Sequence, residues 1–565
     1  MSGKYRPFSL IFTHMDAARA PILLDYAWQG FPYFVAQYTP PMKSINFLLG
    51  LSLSVLFGLN ATRSRAQSVS YIPDSSFDSN GLKNFVLFNT IDRLFDCVVY
   101  PDGRILSVGL SKNPSSGYFE LCFVQLLDNG DPDTSFSGDG FAYVSMGAQQ
   151  SIGGMTPKLK FDASGRIVAI NSGQGPSSSD IDMMVCRLNP SGFLDPTFGT
   201  NGVTFVDMLG SGTQPDLASA FDIDPNGNIW VAGATRTGGT PLDNDFAVIK
   251  LNANGGLDQA FNGTGKKLFN PTGQAEFARG IKVQADGKIV LAGEAGANMY
   301  VMRFDDTGSL DLSFNTTGTI QVVFGIGTDM GAMDFDNLGR IVIAGNATTS
   351  ASNVAVARIL PSGAFAPNFG SIGKYTFNIG NAASTVADMH IQSDNRIIVG
   401  GTNTVTATAK DFLAARVDTT GVIDITFNTN GYFTQNAVLG AVNELGGGMA
   451  VSDSGKIIIS GTVEYSSAIN EDIAIIRMRP IPVSPSAVQE VSMNEIMRVS
   501  PNPFTTDLMV SSTQSADAEL TDLSGRRIAG FSVVEGINRF AIDNIPAGAY
   551  LFRVPGYGAI RLIRH

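Results

Sequence analysis

The sequence predicts an all-β protein: a seven-bladed β-propeller followed by a small Ig-like β-sandwich. Three observations predict it. The phrase Phe-x-x-x-Gly recurs at Phe77/Gly81, Phe136/Gly140, Phe198/Gly202, Phe261/Gly265, Phe314/Gly318, Phe369/Gly373 and Phe427/Gly431. A turn ending in Ile recurs between these marks, as in Pro101-Asp102-Gly103-Arg104-Ile105. Glycine is abundant at 62 residues and charged residues are few at 16%, a balance that suits turns and strands better than helices. A fixed period means one supersecondary unit copied, so each residue can be compared with its counterparts in the other copies.

Taken in chain order, residues 1–41 precede what reads as a secretory signal. Met42-Lys43 opens a short basic segment, Ile45 to Leu59 is almost continuously apolar, and Ser64-Arg65-Ala66 gives small-x-small before Gln67. The expectation is a signal peptide over 42–66, cleaved between Ala66 and Gln67. On this reading Met42 is the true start and 1–41 is a mis-assigned upstream extension. The apolar run is shorter than a membrane-spanning helix needs, so the mature chain is expected to carry no transmembrane segment.

The propeller is assigned to 67–480. Its seven turns are Asp102-Gly103, Ser164-Gly165, Asn226-Gly227, Asp286-Gly287, Leu338-Gly339, Asp394-Asn395 and Ser454-Gly455, each followed within two residues by Ile. Such pairs between apolar runs signal hairpins, on the expectation that both turn residues take positive φ. With one strand after Phe-x-x-x-Gly and another such as Phe246–Leu251, each copy supplies four strands, the content of a blade. The seventh copy ends at Ile476-Arg477-Met478 without its Leu-Asp-x-x-Phe, and the chain instead begins with Pro73-Asp74-Ser75-Ser76-Phe77. The first fragment therefore supplies what the last copy lacks, closing a ring that leaves no open sheet edge.

The repeated phrase resembles the delta-60 repeat family of large exported bacterial proteins, over roughly residues 71–480. All seven copies carry Phe-x-x-x-Gly, and six place Asp three residues before the Phe; Ala366-Pro367-Asn368-Phe369 departs from this. The resemblance implies no established chemistry.

Residues 481–494 read as a linker, and 495–565 as a small antiparallel domain with Gly, Asn and Pro turns. The latter resembles the C-terminal sorting domain of type IX secretion cargo. The matching residues are Pro501-Asn502-Pro503-Phe504, Asp522 and Gly525, Gly548 and Tyr550, and the basic end with Arg561 and Arg564. The resemblance implies that the type IX secretion machinery is a partner. It implies passage through the periplasm of a Gram-negative bacterium, and a final place in the medium or on the cell surface.

The chemistry-bearing residues are sparse. Lys and Arg total 38 against 50 Asp and Glu, and the net charge of -12 argues against nucleic acid as a partner. Cys97, Cys122 and Cys186 fall in apolar columns and read as core thiols. His390 is the repeat region's sole histidine, in a column with Val98, Lys160, Asp222, Lys282, Asp334 and Ala450 that reads as a varying surface position. Two polar columns stand out. Glu120, Asp182, Asp245, Asn298, Asn353, Asp411 and Asp472 open one strand of each copy; the acidic members are candidate calcium ligands, or else turn-exit acceptors. Five residues later come Gln125, Arg187, Lys250, Arg303, Arg358, Arg416 and Arg477, expected to pair with the Leu-Asp-x-x-Phe aspartates.

No cofactor is implied beyond that calcium, and no catalytic residue stands out. The polar loops not shared between copies are Ser111–Tyr118, Gln174–Asp180, Thr235–Asp243, Thr348–Ser352, Thr402–Lys410 and Val463–Asn470. They are the expected place for a ligand, glycan or protein. The expectation is a non-enzymatic binding or adhesion module. The alternatives are a polysaccharide-acting hydrolase or lyase with paired carboxylates around a central channel, and a structural surface component.

Overall fold

The computed structural model describes residues 68–565 apart from 89–90, 152, 176–179, 211–213, 239–242, 349–351, 381–382, 407–408, 437–440, 466–470, 483–496, 513–514, 523–525, 544 and 555–558. The extension, signal segment and cleavage site, most of the linker and Gly525 lie outside the described residues. The regular elements are all strands, and among the described residues no helix is long and apolar enough to cross a membrane.

Each copy begins with an innermost strand and pairs antiparallel, in chain order, with the next three. In the first copy these are Asp92–Val99, Ile105–Lys112, Phe119–Leu126 and Phe141–Ser145. Five such four-stranded sheets follow one another. Two further sets form a nine-stranded sheet, bridged where Lys410 faces Asn443 in parallel. The last set takes its outer strands from the other end of the repeat region: Leu82–Phe85 and Val69–Pro73 both pair with Glu471–Pro482. This is the closure expected from the divided Leu-Asp-x-x-Phe.

The core sits between successive sheets. Leu106, Phe123 and Phe136 of the first copy share a cluster with Leu159, Ala169 and Met184 of the second. The pattern continues to a cluster joining Ile458 and Ile475 of the seventh copy with Phe77, Leu94 and Cys97. There the backbones nearly touch: a Cβ on Gly447 would lie 2.2 Å from the Leu94 carbonyl oxygen, so only glycine admits this approach. Side chains also reach from one sheet to the next. Main-chain amides of Ala218, Met330, Val386 and Gly446 donate to Ser172, Glu294, Asn346 and Thr402, which occupy one column of four different copies.

The repeated Phe belongs to a second device. The Asp three residues earlier caps the turn and pairs with the cation of the long strand, which stacks on the Phe ring. Thus Arg187 lies 2.9 Å from Asp195 and 4.7 Å over Phe198; Arg303 and Arg416 repeat the arrangement with Asp311 and Phe314, and with Asp424 and Phe427. Arg477 completes it across the closure, 2.9 Å from Asp74 and 4.8 Å over Phe77. Burial opposes the charge on Asp74, yet Ser76, Lys456 and Arg477 hold its carboxyl down at about 2. Arg358, whose copy lacks the Asp, turns to Asp336, 3.4 Å away.

Two expectations need correction. In the turns only the Gly or Asn takes positive φ, from 65° at Asn395 to 90° at Gly103, not both central residues. The hydrogen bonds, Gly103 N to Tyr100 O and Tyr100 N to Arg104 O, define a three-residue loop with a glycine bulge, which needs one left-handed residue. The sixth and seventh copies also have taller hairpins: Thr402–Thr406 and Val463–Tyr465, read as loop, continue the strands Ile397–Thr406 and Ile457–Tyr465.

Residues 497–565 form a three-stranded and a four-stranded antiparallel sheet. Both contribute to one core containing Phe504, Leu508, Leu520, Tyr550, Phe552 and Leu562.

Candidate functional site

The innermost strands line a concavity with charged side chains in its wall. In six copies this strand contains one extra residue against its neighbour, a β-bulge at one column: Phe95, Ser219, Arg279, Gly331, Ala387 and Gly447. A bulge re-aims a side chain and bends the strand. Here all six residues line one cavity of about 260 Å³, joined by the cations Arg93 and Lys158. A second cavity of about 230 Å³ shares Lys158, Ser219, Arg279 and Gly331 with it and adds carboxylates from Asp96, Asp334 and Asp388. The two cavities are successive levels of one channel.

The charges in the channel are answered locally. Arg93 binds Glu471 through two nitrogens, one of them at 2.7 Å, and Arg279 lies 3.2 Å from Glu294. At the other level the His390 column alternates in sign: Lys160 meets Asp222 at 2.6 Å and Lys282 meets Asp334 at 2.8 Å. His390 follows, half-buried; burial lowers its pKa while Asp334 and Asp388 pull the other way. Val98, Lys160, Lys282 and Asp334 of this column line the second cavity, so these positions are not the outer surface the sequence suggested. Burial works against the Lys282 ammonium, but Asp334 and Asp222 outweigh it and raise its pKa. Lys160 goes the other way, lowered by burial and by Lys282.

Asp96 and Asp388 each tie their own strand to the innermost strand of the next copy. Asp96 accepts amides from Cys97 (3.0 Å) and from Leu159 in the next copy (2.9 Å). Asp388 accepts Met389 (2.7 Å) and, in the next copy, Met449 (2.9 Å). Burial pushes the Asp96 carboxyl up to about 6, with Asp388 adding and Lys158 opposing. A carboxyl raised in the native state binds protons there that the unfolded chain releases. Its stabilisation is complete below about pH 4 and is lost as the pH rises through about 6. Asp96→Asn is expected to flatten the pH dependence of unfolding between pH 4 and 6 by on the order of 2 kcal/mol. Urea melts of both proteins across that range check it, and equal slopes would contradict it.

The other predicted residues are placed as follows. The acidic column does not gather at one point. Glu120 meets Asn113 at 3.3 Å and Asp411 meets Asn436 at 3.5 Å. Burial raises the carboxyls of Asp245 and Asp472. Asp182 alone of the column stands in a carboxylate cluster of metal-holding size among the described residues, with Asp207 and Asp216. The cysteines are buried and free, and burial pushes their pKa up, to about 12 for Cys186. Trp230 is buried beneath Lys250, 4.9 Å over its ring.

In the C-terminal domain Phe504 is buried. Asn502 donates to the Arg561 carbonyl and accepts from Ile563, both at 2.9 Å, and the Tyr550 hydroxyl donates to the Pro546 carbonyl at 2.6 Å. Asp522 lies 3.1 Å from Arg526, and Arg564 donates to main-chain carbonyls of Asp543 and Ile545. Gly548 opens the strand Gly548–Arg553, which Ala559–Arg564 pairs along. Pro501 and Pro503 follow cis peptide bonds.

Sequence comparison adds one family. The model described as a domain of unknown function (DUF5122) beta-propeller matches residues 284–314 and 392–427. The fold is a β-propeller. Each matched stretch runs from a hairpin turn to the Phe of Phe-x-x-x-Gly, the same portion of the fourth and sixth copies. No curated protein matches the chain. Among solved structures, a protein of unknown function from Bacteroides caccae is 12% identical, with 59% of this chain and 92% of that one covered, at a TM-score of 0.33. The β-propeller domain of the Trilobed protease from Pyrococcus furiosus, described as having an open velcro topology, is 9% identical (71% and 100% covered, TM-score 0.35). The polysaccharide lyase Uly1 is 10% identical (68% and 89% covered, TM-score 0.38).

Proposed function

We propose that this β-propeller is an exported seven-bladed ring of the delta-60 type that acts as a non-enzymatic binding module. Its C-terminal pair of sheets is an Ig-like sandwich that serves as a type IX sorting domain. On this reading the mature chain begins at Gln67 and works at or beyond the cell surface of a Gram-negative bacterium. The C-terminal domain is the handle that the secretion machinery grips.

The observation that carries the binding reading is the charge order of the channel. Lys160, Asp222, Lys282 and Asp334 pair with one another around the wall, and Asp96 and Asp388 spend their oxygens on main-chain amides. Such a wall offers a patterned, pre-formed polar surface to a glycan or protein segment while its charges stay satisfied. The cysteines are too buried and too basic to act as nucleophiles.

One observation favours a second reading, an extracellular hydrolase or lyase. Burial raises the Asp96 carboxyl to about 6 with Asp388 close by, and two neighbouring carboxyls can share acid and base roles. The chain from Gln67, incubated with polysaccharides and extracellular-matrix proteins, separates the two. Saturable binding with no new reducing ends, unsaturated ends or peptides supports the module. Turnover that Asp96→Asn abolishes supports the enzyme.

A further inference from the structure

The first level of the channel carries three cations, Arg93, Lys158 and Arg279, and no Asp or Glu stands in its wall. Two of the cations are answered by acids that do not line the cavity. Arg93 gives Nε and Nη2 to Glu471, and Arg279 gives the same two nitrogens to Glu294, at 3.2 and 3.5 Å. The Nη1 group of each arginine meets no acceptor among the described residues. Lys158 goes further. It lines both levels, and its ammonium makes no hydrogen bond or ion pair among the described residues. Burial works against its charge, but Asp96 and Asp388 outweigh that through space and raise its pKa, so it stays an ammonium. Thr156 adds a buried hydroxyl without a hydrogen-bond partner to the same wall.

Each of the three cations breaks its column. Where Arg279 stands, other copies have Phe95, Ser219, Gly331, Ala387 or Gly447. Where Lys158 stands, they have Asp96, Ala220, Gly280, Ala332, Asp388 or Gly448. Where Arg93 stands, they have Leu217, Phe277, Asp329, Thr385 or Leu445. A role in building the blade would recur from copy to copy. These residues come from the first, second and fourth copies and from three different columns, yet they meet in one cavity.

Past Lys158 the sign changes. At the second level Asp96, Asp222, Asp334 and Asp388 outnumber Lys160 and Lys282. A second negative charge on one ligand would be repelled there, whereas hydroxyl groups can donate to the carboxyl oxygens. The first cavity, at about 260 Å³, lies just under the usual range for small-molecule pockets, about 300–1,000 Å³, and suits one sugar-sized unit.

We propose that Arg93, Lys158 and Arg279 receive one oxyanion, a carboxylate or a sulfate, carried by an acidic sugar unit of a glycan. The proposal rests on the binding reading of the channel and names its ligand class. Charge-assisted hydrogen bonds from the free nitrogens hold the oxyanion, and the sugar hydroxyls face the acidic level. Neutral sugars would leave the three cations without an acceptor.

Lys158→Met is the informative variant, because it removes a cation that no hydrogen bond or ion pair ties into the fold. Glucuronate, galacturonate and glucose sulfate are titrated into the chain from Gln67 at physiological salt, followed by nuclear magnetic resonance, with glucose and galactose as uncharged references. At least one acidic sugar is expected to bind about tenfold or more tightly than its neutral counterpart. Lys158→Met should erase that preference, and Lys158→Arg should keep it, at unchanged melting temperatures. The uronates and the sulfate tell the two oxyanions apart. No binding of any acidic sugar, equal binding of acidic and neutral sugars, or a preference that survives Lys158→Met would overturn the proposal. Tighter binding of a capped glutamyl dipeptide would overturn it in favour of an acidic protein segment. Neutral sugars bound in the channel would leave the binding module standing without this ligand class. Turnover of an acidic glycan with a KM raised by Lys158→Met would support the oxyanion site and overturn the non-enzymatic reading instead.

Discussion

Removing residues 68–85 is expected to abolish cooperative folding of the repeat region. That segment is a small part of the chain, but it supplies two strands that pair with Glu471–Pro482 and the Asp74, Ser76 and Phe77 side chains that receive Arg477. Without it Arg477, 1% exposed at its side chain, keeps only Asp128 as an acidic partner. The Phe77 site, shared with Leu94, Cys97 and Ile475, becomes a void. Phe77→Ala alone should cost about 3–5 kcal/mol, in the range for large aromatic truncations. The truncation adds the lost strand pairing and an exposed sheet edge. Urea unfolding followed by circular dichroism, with a dye for exposed apolar surface, measures it. A broad, early transition with dye binding is expected; an unchanged midpoint and slope would show that the last set of strands stands without them.

The second large effect is at the copy that breaks the pattern. Asp336→Asn is expected to destabilise by about 3–5 kcal/mol, because it strands a buried guanidinium. Arg358 and Asp336 are 1% and 0% exposed at their side chains, and Ala366 occupies the place of the usual aspartate. Arg358 keeps hydrogen bonds only to carbonyls, Thr419 O at 2.9 Å and Asn395 O at 3.1 Å, with the Phe369 ring 4.3 Å beneath it, and Arg340 also loses Asp336, its partner at 2.6 Å. Burial, with Arg340 nearby, already lowers the Arg358 pKa to about 10. Ala366→Asp should rescue the variant by restoring the partner found in the sister copies. Thermal melts of the two single variants and the double variant form the test. A double variant no better than Asp336→Asn would mean that the Arg358 pairing is not what was lost.

Much of this was legible in the sequence because copies could be compared. The arginine column met its aspartates as expected, and even the exception at Ala366 was visible, though not its remedy. Asp336 belongs to a turn, and nothing local marks it as a partner for a residue 22 positions away. The closure was legible from a missing Leu-Asp-x-x-Phe at one end and its presence at the other. The turns were placed correctly but given the wrong backbone, since Asp-Gly serves both two-residue and bulged loops.

Which residues line the channel was not legible, for a physical reason. In a ring the polar face of the innermost strand looks into the channel, yet it uses the same residue types as a face toward bulk water. Lys160, Asp222, Lys282, Asp334 and His390 therefore read as surface. The bulge that turns Arg279 inward adds one residue, which an alternating pattern hides. The Gly446-Gly447-Gly448 run was the available signal: three glycines in an innermost strand mark a close backbone approach.

The most direct test of the functional account is a binding measurement on a channel variant. Lys282→Met with Asp334→Asn removes one wall pair without leaving a lone charge. Any glycan or matrix protein found to bind the chain from Gln67 is titrated against both proteins, with melting temperatures alongside. The account predicts affinity lower by about tenfold or more at nearly unchanged melting temperature, and no turnover by either protein. Undiminished binding by the double variant would place the ligand outside the channel and contradict the account.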